Sequence, residues 1–388
     1  MEGCPLSTEI LIEIFARLPV NSLLRFKCVC KFMYSMIKHD HHFHNKHYEI
    51  SRAKTDCVIF ERDCEDSPSR FSCGALFSSV YRDSDSGEIG CADLNMPSPF
   101  VRFVKCADGV LCLVLDRFSS SERFFDFLIW NPSTRETKAL PSIKTPEDYP
   151  MKLDFTFGFG FSNEMVGKVV VVWSSTDQSP DTRETILVCN QVGDSWRWRQ
   201  IESFPHIQDE FCVDNSADFY LGGKYYWCLL MYPDQKPAKE YLLWFDIGDE
   251  VFGLVGLPDK PLGGGYGNWG RKCVWTGDGI IALICHRENL WEVWFLKESN
   301  DNNNSNNVGW HKEATFDISR KWIEWFPMKI WNLKRDLLIS GWCLDDCGGI
   351  TKFLVSIDLV TREKRVIDNI CAHSGVCVAV YSESLKLL

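Results

Sequence analysis

"FLIWNPSTRETKALP" (127–141) is an apolar run, a polar turn at Asn131 and a second short run ending in Leu-Pro. The same plan returns in "ILVCNQVGDSWRWRQI" (186–201), "LLWFDIGDEVFGLVGLP" (242–258) and "FLVSIDLVTREKRVI" (353–367). "EVWFLKESNDNNNSNNVGWHKEATF" (292–316) joins them if its Asn-rich tract is an enlarged turn. The turn residues Asn131, Asn190, Asp246 and Asp358 lie 59, 56 and 112 positions apart, and 112 is twice 56. Ahead of each motif stands another pair of apolar runs, among them "VLCLVL", "KVVVVW", "YYWCLL" and "LLISGW". β-Branched and aromatic residues dominate these runs, which favours strands. A period of about 50–60 residues with four strands per unit predicts propeller blades. Residues 55–388 hold about six such units, and "GVCVAVYSESLKLL" (375–388) is placed to pair in the first and close the ring. Closure hides sheet edges that otherwise invite aggregation. The predicted fold is mainly β, with a small helical unit over 1–50 and a propeller-like domain over 55–388.

A chain of 388 residues predicts two or three domains. With 45% hydrophobic and 24% charged residues it has the composition of a soluble globular protein. No run of about 18 apolar residues occurs, and "MEGCPLSTEI" lacks the basic and apolar regions of a secretory signal. A reducing compartment follows, cytoplasmic, nuclear or both. The 18 cysteines are therefore expected as free thiols, with Cys112 and Cys228 acting as small buried hydrophobes. Net charge is −11, of which residues 1–50 contribute +1 (six Lys/Arg against five Asp/Glu), leaving −12 on the remainder. That balance argues against nucleic acid as a partner and suits a basic protein.

The first fifty residues differ in kind. Ser7 is positioned to cap a helix from Thr8 with Glu9 in its first turn. Ile10, Leu11, Ile14, Phe15 and Leu18 share one face, opposite Glu9, Glu13 and Arg17, and Pro19 ends the pattern. Asn21 or Ser22 is the expected cap of a second pattern carrying Leu23, Phe26, Cys30, Met33 and Ile37, with a break near Val29–Lys31. So short a unit rarely folds alone. Either it packs on the rest of the chain, or it completes its core on another protein.

"LSTEILIEIFARLPVNSLLRFKCVCKFMYSMI" (6–37) resembles the F-box of plant F-box proteins. The resemblance implies a three-helix unit that docks the Skp-type adaptor of a cullin–RING (SCF-type) ubiquitin ligase. The matching positions are Leu6, Ile10, Ile14, Leu18, Pro19, Leu23, Leu24, Arg25, Phe26, Val29 and Cys30. Ser7 stands where the family often has Pro and Met33 where it often has Trp; the first keeps a cap, the second implies weaker adaptor contact. From residue 55 onward the chain resembles the F-box-associated domain, including the S-locus type. Its markers are "GVLCL", "WNPSTRETKALP", "FGFGF", "DSWRWRQI", "LGGKYYW" and "VYSESL". Together these imply a substrate receptor acting by proximity, with cullin and adaptor on one side and a protein target on the other. The rivals are an F-box scaffold outside ubiquitylation and a propeller enzyme, the latter marked by polar residues clustered in the central channel.

Catalytic and metal motifs are weak. His39, His41, His42, His44 and His47 with Cys28 and Cys30 lack paired zinc spacing, and a solvated helix end and linker is the expectation. Cys343 and Cys347 lack a partner pair. Gly265, Gly267 and Gly270 match a dinucleotide fingerprint by letters, but strand-like "RKCVWTGDGIIAL" follows where a helix is needed. No P-loop, G-x-S-x-G or H-E-x-x-H occurs, and no cofactor, metal or membrane partner is expected. Long turns fall at 61–72, 174–184, 231–240, 259–272 and 298–309, where Tyr232, Tyr266 and Trp269 are the candidate aromatic anchors for a target.

Overall fold

A computed structural model describes residues 7–54, 56–62, 76–82, 89–98, 101–119, 122–144, 153–162, 166–175, 185–192, 195–202, 210–232, 239–258, 271–275, 279–287, 290–298, 308–317, 322–331, 336–344, 350–366 and 377–386. Four helices come first: α1 (Thr8–Phe15), α2 (Val20–Phe26), α3 (Lys31–His39) and α4 (His41–Lys54). Ser7 caps α1 as expected, its Oγ accepting the Ile10 N–H at 3.4 Å. The cap of α2 is a correction: neither Asn21 nor Ser22 precedes the helix, because Pro19 occupies that position and Val20 is already helical. Proline costs nothing there, where the backbone N–H has no helical partner to lose. The break falls at 27–29, and Cys30 caps α3 by accepting the Met33 N–H at 3.5 Å.

The histidine-rich stretch is the second correction. It forms α4 and is no solvated linker, because two of its rings satisfy carbonyls left over where other helices end. His44 Nε2–H donates to the Ile37 carbonyl at 2.8 Å, and His47 Nε2–H to the Leu18 carbonyl at 3.0 Å. Both are buried, whereas His39, His41 and His42 are exposed. Phe15, Ala16, Val20, Leu23, Met36, Ile37 and Phe43 make the core of the helical unit, and Leu385 from the other end of the chain completes it.

The rest is strand. Blade one contains β1 (Asp56–Arg62), β2 (Leu76–Arg82) and β3 (Ile89–Leu94). Blade two contains β4 (Val101–Ala107), β5 (Val110–Ser119), β6 (Glu122–Asn131) and β7 (Glu136–Ala139), with β8 (Ile143–Lys144) also paired to β6. Blade three is β9 (Leu153–Phe161), β10 (Gly167–Ser175), β11 (Thr185–Val192) and β12 (Ser195–Ile201). Blade four is β13 (Glu210–Leu221), β14 (Lys224–Tyr232), β15 (Lys239–Asp246) and β16 (Phe252–Gly256). Blade five is β17 (Arg271–Trp275), β18 (Ile281–Arg287), β19 (Leu290–Glu298) and β20 (Val308–Asp317). Blade six is β21 (Trp322–Trp331), β22 (Asp336–Leu344), β23 (Ile350–Asp358) and β24 (Lys364–Val366).

The last strand, β25 (Cys377–Val380), pairs antiparallel with β1, setting Val380 opposite Val58 and Ala379 opposite Ile59. Six sheets result, as the repeat predicts. Their inner strands β25, β4, β9, β13, β17 and β21 touch in a closed circle.

Alternation explains the packing. In the run 169–172, Val169 and Val171 join the core shared with blade two, and Val170 and Val172 the core shared with blade four. A strand covered on both faces reads as a continuous apolar run. "FGFGF" works similarly: Phe157, Phe159 and Phe161 face blade two, while Gly158 and Gly160 admit rings from blade four. A Cβ at Gly158 would lie 2.7 Å from Trp227, and one at Gly160 2.5 Å from Tyr220.

Three of the four repeat turns share one geometry. The Asn131, Asp246 and Asp358 side chains each accept two backbone N–H bonds from the residues just ahead. Four positions on, Arg135, Glu250 and Arg362 take left-handed φ of 62°, 58° and 64°. Asn190 is different: it lies within β11, opposite Arg197, because that hairpin continues to Val192 opposite Ser195. The sequence "GD" at 193–194 is a two-residue turn signal that outcompetes the Asn.

Two outcomes follow. Removing residues 377–388 takes the closing strand away and should lower the melting temperature of all blades in one transition, followed by circular dichroism; a truncated chain that melts like the parent contradicts ring closure. Burial holds the His44 imidazole below its ordinary value. The unfolded chain thus binds a proton at about pH 6.5 that the folded chain refuses, so stability is full above that pH and falls below it. His44→Gln should abolish that part of the acid sensitivity; identical pH profiles for both proteins between about pH 7 and about pH 5 contradict it.

Candidate docking surfaces

The helical unit separates the residues singled out from sequence into core and surface. Leu23 is fully buried and serves the core; Leu18, Leu24 and Phe26 are half-buried against it. Ile10 and Ile14 stand one turn apart on α1, 47% and 46% exposed, while Phe15 turns inward. Val29 is 67% exposed in the α2–α3 turn, flanked by the exposed Cys28 and Cys30. Pro19 and Arg25 are also exposed, and Leu6 lies outside the described residues. Met33, expected in the docking contact, packs partly buried against the helical core. Glu13 braces the exposed face, bonding to Arg17 at 2.9 Å and to Lys46 of α4.

Four of the eleven large exposed hydrophobics in the described residues (Ile10, Ile14, Val29 and Tyr34) fall within α1–α3 and their turns. That density, on helices whose inner faces are already filled, is an apolar surface awaiting cover.

In an antiparallel blade, connections between strands one and two and between three and four emerge on one face, and all others on the opposite face. The turns at Asp108–Gly109 and 132–135 therefore share a face, and residues 381–386 run across it to the helical unit. We call it the near face. The enlarged turns divide accordingly. Segment 299–307 joins β19 to β20, the third and fourth strands of blade five, so it starts and ends on the near face, whereas 63–75 joins β1 to β2, the second and third strands of blade one counted from β25, and starts and ends on the far face. Segments 176–184, 233–238 and 259–270 start and end on the far face. Tyr232, half-buried at the end of β14, is at that far face; Tyr266 and Trp269, with the glycine run 265–270, lie outside the described residues.

Among the described residues, two inner strands share a buried ion pair. Lys105 of β4 and Asp218 of β13 form an ion pair whose side chains are 8% and 6% exposed. The Lys105 ammonium also sits 5.5 Å from the Phe157 ring centre. Burial pushes the neighbouring Tyr225 hydroxyl far above its ordinary value and the Cys106 thiol likewise, so both stay protonated at neutral pH. An ion pair this enclosed is held by mutual neutralisation, and freeing either partner carries a desolvation cost. Among the described residues no His/Cys/Asp/Glu group has the geometry to hold a metal ion, and none of their helices is long and apolar enough to cross a membrane.

Comparison with known proteins agrees with the two-part organisation. Residues 5–45 match the F-box domain, and residues 88–344 match the F-box associated beta propeller domain. An Arabidopsis thaliana F-box protein (At5g49610) is 25% identical over 316 residues, covering 76% of each chain. An F-box/kelch-repeat protein of the same plant (At3g44120) is 25% identical over 313 residues, 79% of this chain and 75% of its own. Among solved structures, TolB from Acinetobacter baumannii superposes with a TM-score of 0.41 at 12% identity, covering 84% of this chain and 67% of that one. The helical unit, the six-bladed ring and both family matches place the chain among the plant F-box proteins that carry an F-box-associated β-propeller domain.

Proposed function

We propose that the chain is the substrate receptor of an SCF-type ubiquitin ligase, working in the cytoplasm, the nucleus or both. The helical unit docks a Skp-type adaptor and, through it, a cullin; the ring holds a protein target. The observation that carries this reading is the exposed apolar surface of Ile10, Ile14 and Val29 on a unit whose core is already complete. Docking at such a surface is driven by apolar area at roughly 25 cal/mol per Å². Catalysis by the receptor itself is not needed: tethering raises the target's effective concentration beside the ubiquitin-loaded enzyme. The buried charges of the inner strands lend no support to the enzyme alternative, since Lys105 and Asp218 satisfy each other.

The target site fits the far face, where Tyr232 and the segment containing Tyr266 and Trp269 attach, away from the docked adaptor. With −12 beyond residue 50, a basic target would be steered electrostatically and would associate more slowly as salt rises.

Ile10→Asp combined with Ile14→Asp tests the docking reading. Each exposed position tolerates change within about 0.5 kcal/mol, while a charge facing an apolar partner costs several-fold more. Co-purification with the adaptor should be lost with the melting temperature retained; full adaptor recovery would sink the assignment. Changing Tyr232, Tyr266 and Trp269 together to Ala should remove captured target proteins, read by mass spectrometry, and leave the adaptor bound. Undiminished target recovery moves the site elsewhere.

A further inference from the structure

Three sequence markers that look like recognition motifs meet far from the far-face segments. "GVLCL" supplies Gly109, "WNPSTRE" supplies Asn131 and Ser133, and "VYSESL" (380–385) supplies all of the tail 381–386 but Lys386. The fully buried Asn131 donates through Nδ2 to the carbonyls of Ser384 and Lys386, both at 2.9 Å. The Ser133 hydroxyl meets the Tyr381 hydroxyl at 2.5 Å and accepts the Ser384 N–H at 3.3 Å. Gly109, with φ of 76°, lets the tail pass: a Cβ there would stand 2.2 Å from the Ser382 carbonyl oxygen.

The tail's side chains reach two different bodies, with Tyr381 packed in the ring beside Ile59 and Leu111. Ser384 and Lys386 bond to the ring, and the Lys386 ammonium also lies 6.0 Å from the ring centre of Tyr48 in α4. The Lys386 ammonium pairs with Asp108 and lies 4.0 Å from the Phe161 ring centre. Glu383 and Leu385 belong to the helical unit. The Glu383 carboxylate accepts the Val20 N–H at 3.1 Å, at the start of a helix that has no side-chain cap of its own. Leu385 is 2% exposed inside the helical core. Ser382, Ser384 and Lys386 are likewise at most 4% exposed.

The choice of amide at position 131 carries the argument further. Asp246 and Asp358 build the same turn with a carboxylate, so the turn needs only an acceptor. Asn131 also accepts at that turn through Oδ1, and its amide nitrogen does what no carboxylate can, donating to the tail. We propose that residues 381–386 are a coupling strap that fixes the orientation of the helical unit on the ring's near face, with Asn131 as its positioning residue. The markers then serve the geometry between docked partner and bound target, not target contact. This inference rests on the junction alone and holds whichever partner docks on α1–α3.

Asn131→Asp in the full chain separates the two roles, since it keeps the turn acceptor and sets a carboxylate against two carbonyls. Hydrogen exchange should accelerate about tenfold or more in α1–α3 and stay unchanged in β9–β16, while small-angle scattering shows a larger radius of gyration. Glu383→Gln with Leu385→Ala breaks the strap from the helical side without touching the ring, and the same pattern is expected. Unchanged helical exchange and unchanged scattering in both proteins overturn the proposal. So does loss of protection in β9–β16 in the second protein, which would make the tail a structural member of the ring and no coupler.

Discussion

The pairing of β25 with β1 is the constraint on which the molecule depends. It joins residues more than 300 positions apart, and until it forms the first blade lacks its inner strand and the ring has two open edges. Contacts of such sequence separation are costly in loop-closure entropy and slow to form. The chain uses this one long-range event twice. Of the six residues beyond β25, Leu385 enters the core of the helical unit, and the segment bonds to the near-face turn at Asn131. Residues from both ends of the described chain therefore meet at one place, where the helical unit contacts the closed ring.

Much of the ring was legible because a propeller repeats its physics. An acceptor side chain at the end of a third strand, followed by a left-handed residue, leaves a trace in every blade that uses it, and Asn131, Asp246 and Asp358 carried that trace. Asn190 misled because the letters were right and the hairpin was longer; register depends on the turn's own residues, and the pairing continues to Val192 opposite Ser195. The helical unit was legible in its periodicity, but not in which side of each apolar face turns inward. Ile14 and Phe15 are neighbours in sequence, and only the packing of α2, α3 and Leu385 decides that one is exposed and the other buried. The buried histidines of α4 were illegible for the same reason: their partners are carbonyls of other helices, which leave no mark in the local sequence.

The division of faces changes what the sequence markers mean. Three near-face turns are built on side-chain acceptors, at Asn131, Asp246 and Asp358, while all of the enlarged segments but 299–307 attach on the far face. Rigid turns suit a junction and long loops suit recognition. Exposed outer strands are protected in the usual manner: Arg197 and Arg199 point outward from β12, and Lys364 and Arg365 from β24. The organisation is that of a ring with two unlike faces, one carrying the helical unit with its exposed apolar residues and the other most of the long segments.

Differential scanning calorimetry of the intact chain tests the interlock most directly. If the returning C-terminal segment makes the ring and the helical unit one body, the heat-capacity trace shows a single transition whose calorimetric and van't Hoff enthalpies agree. Two resolved transitions, with helical ellipticity lost in the first and the strands intact until the second, would contradict the account.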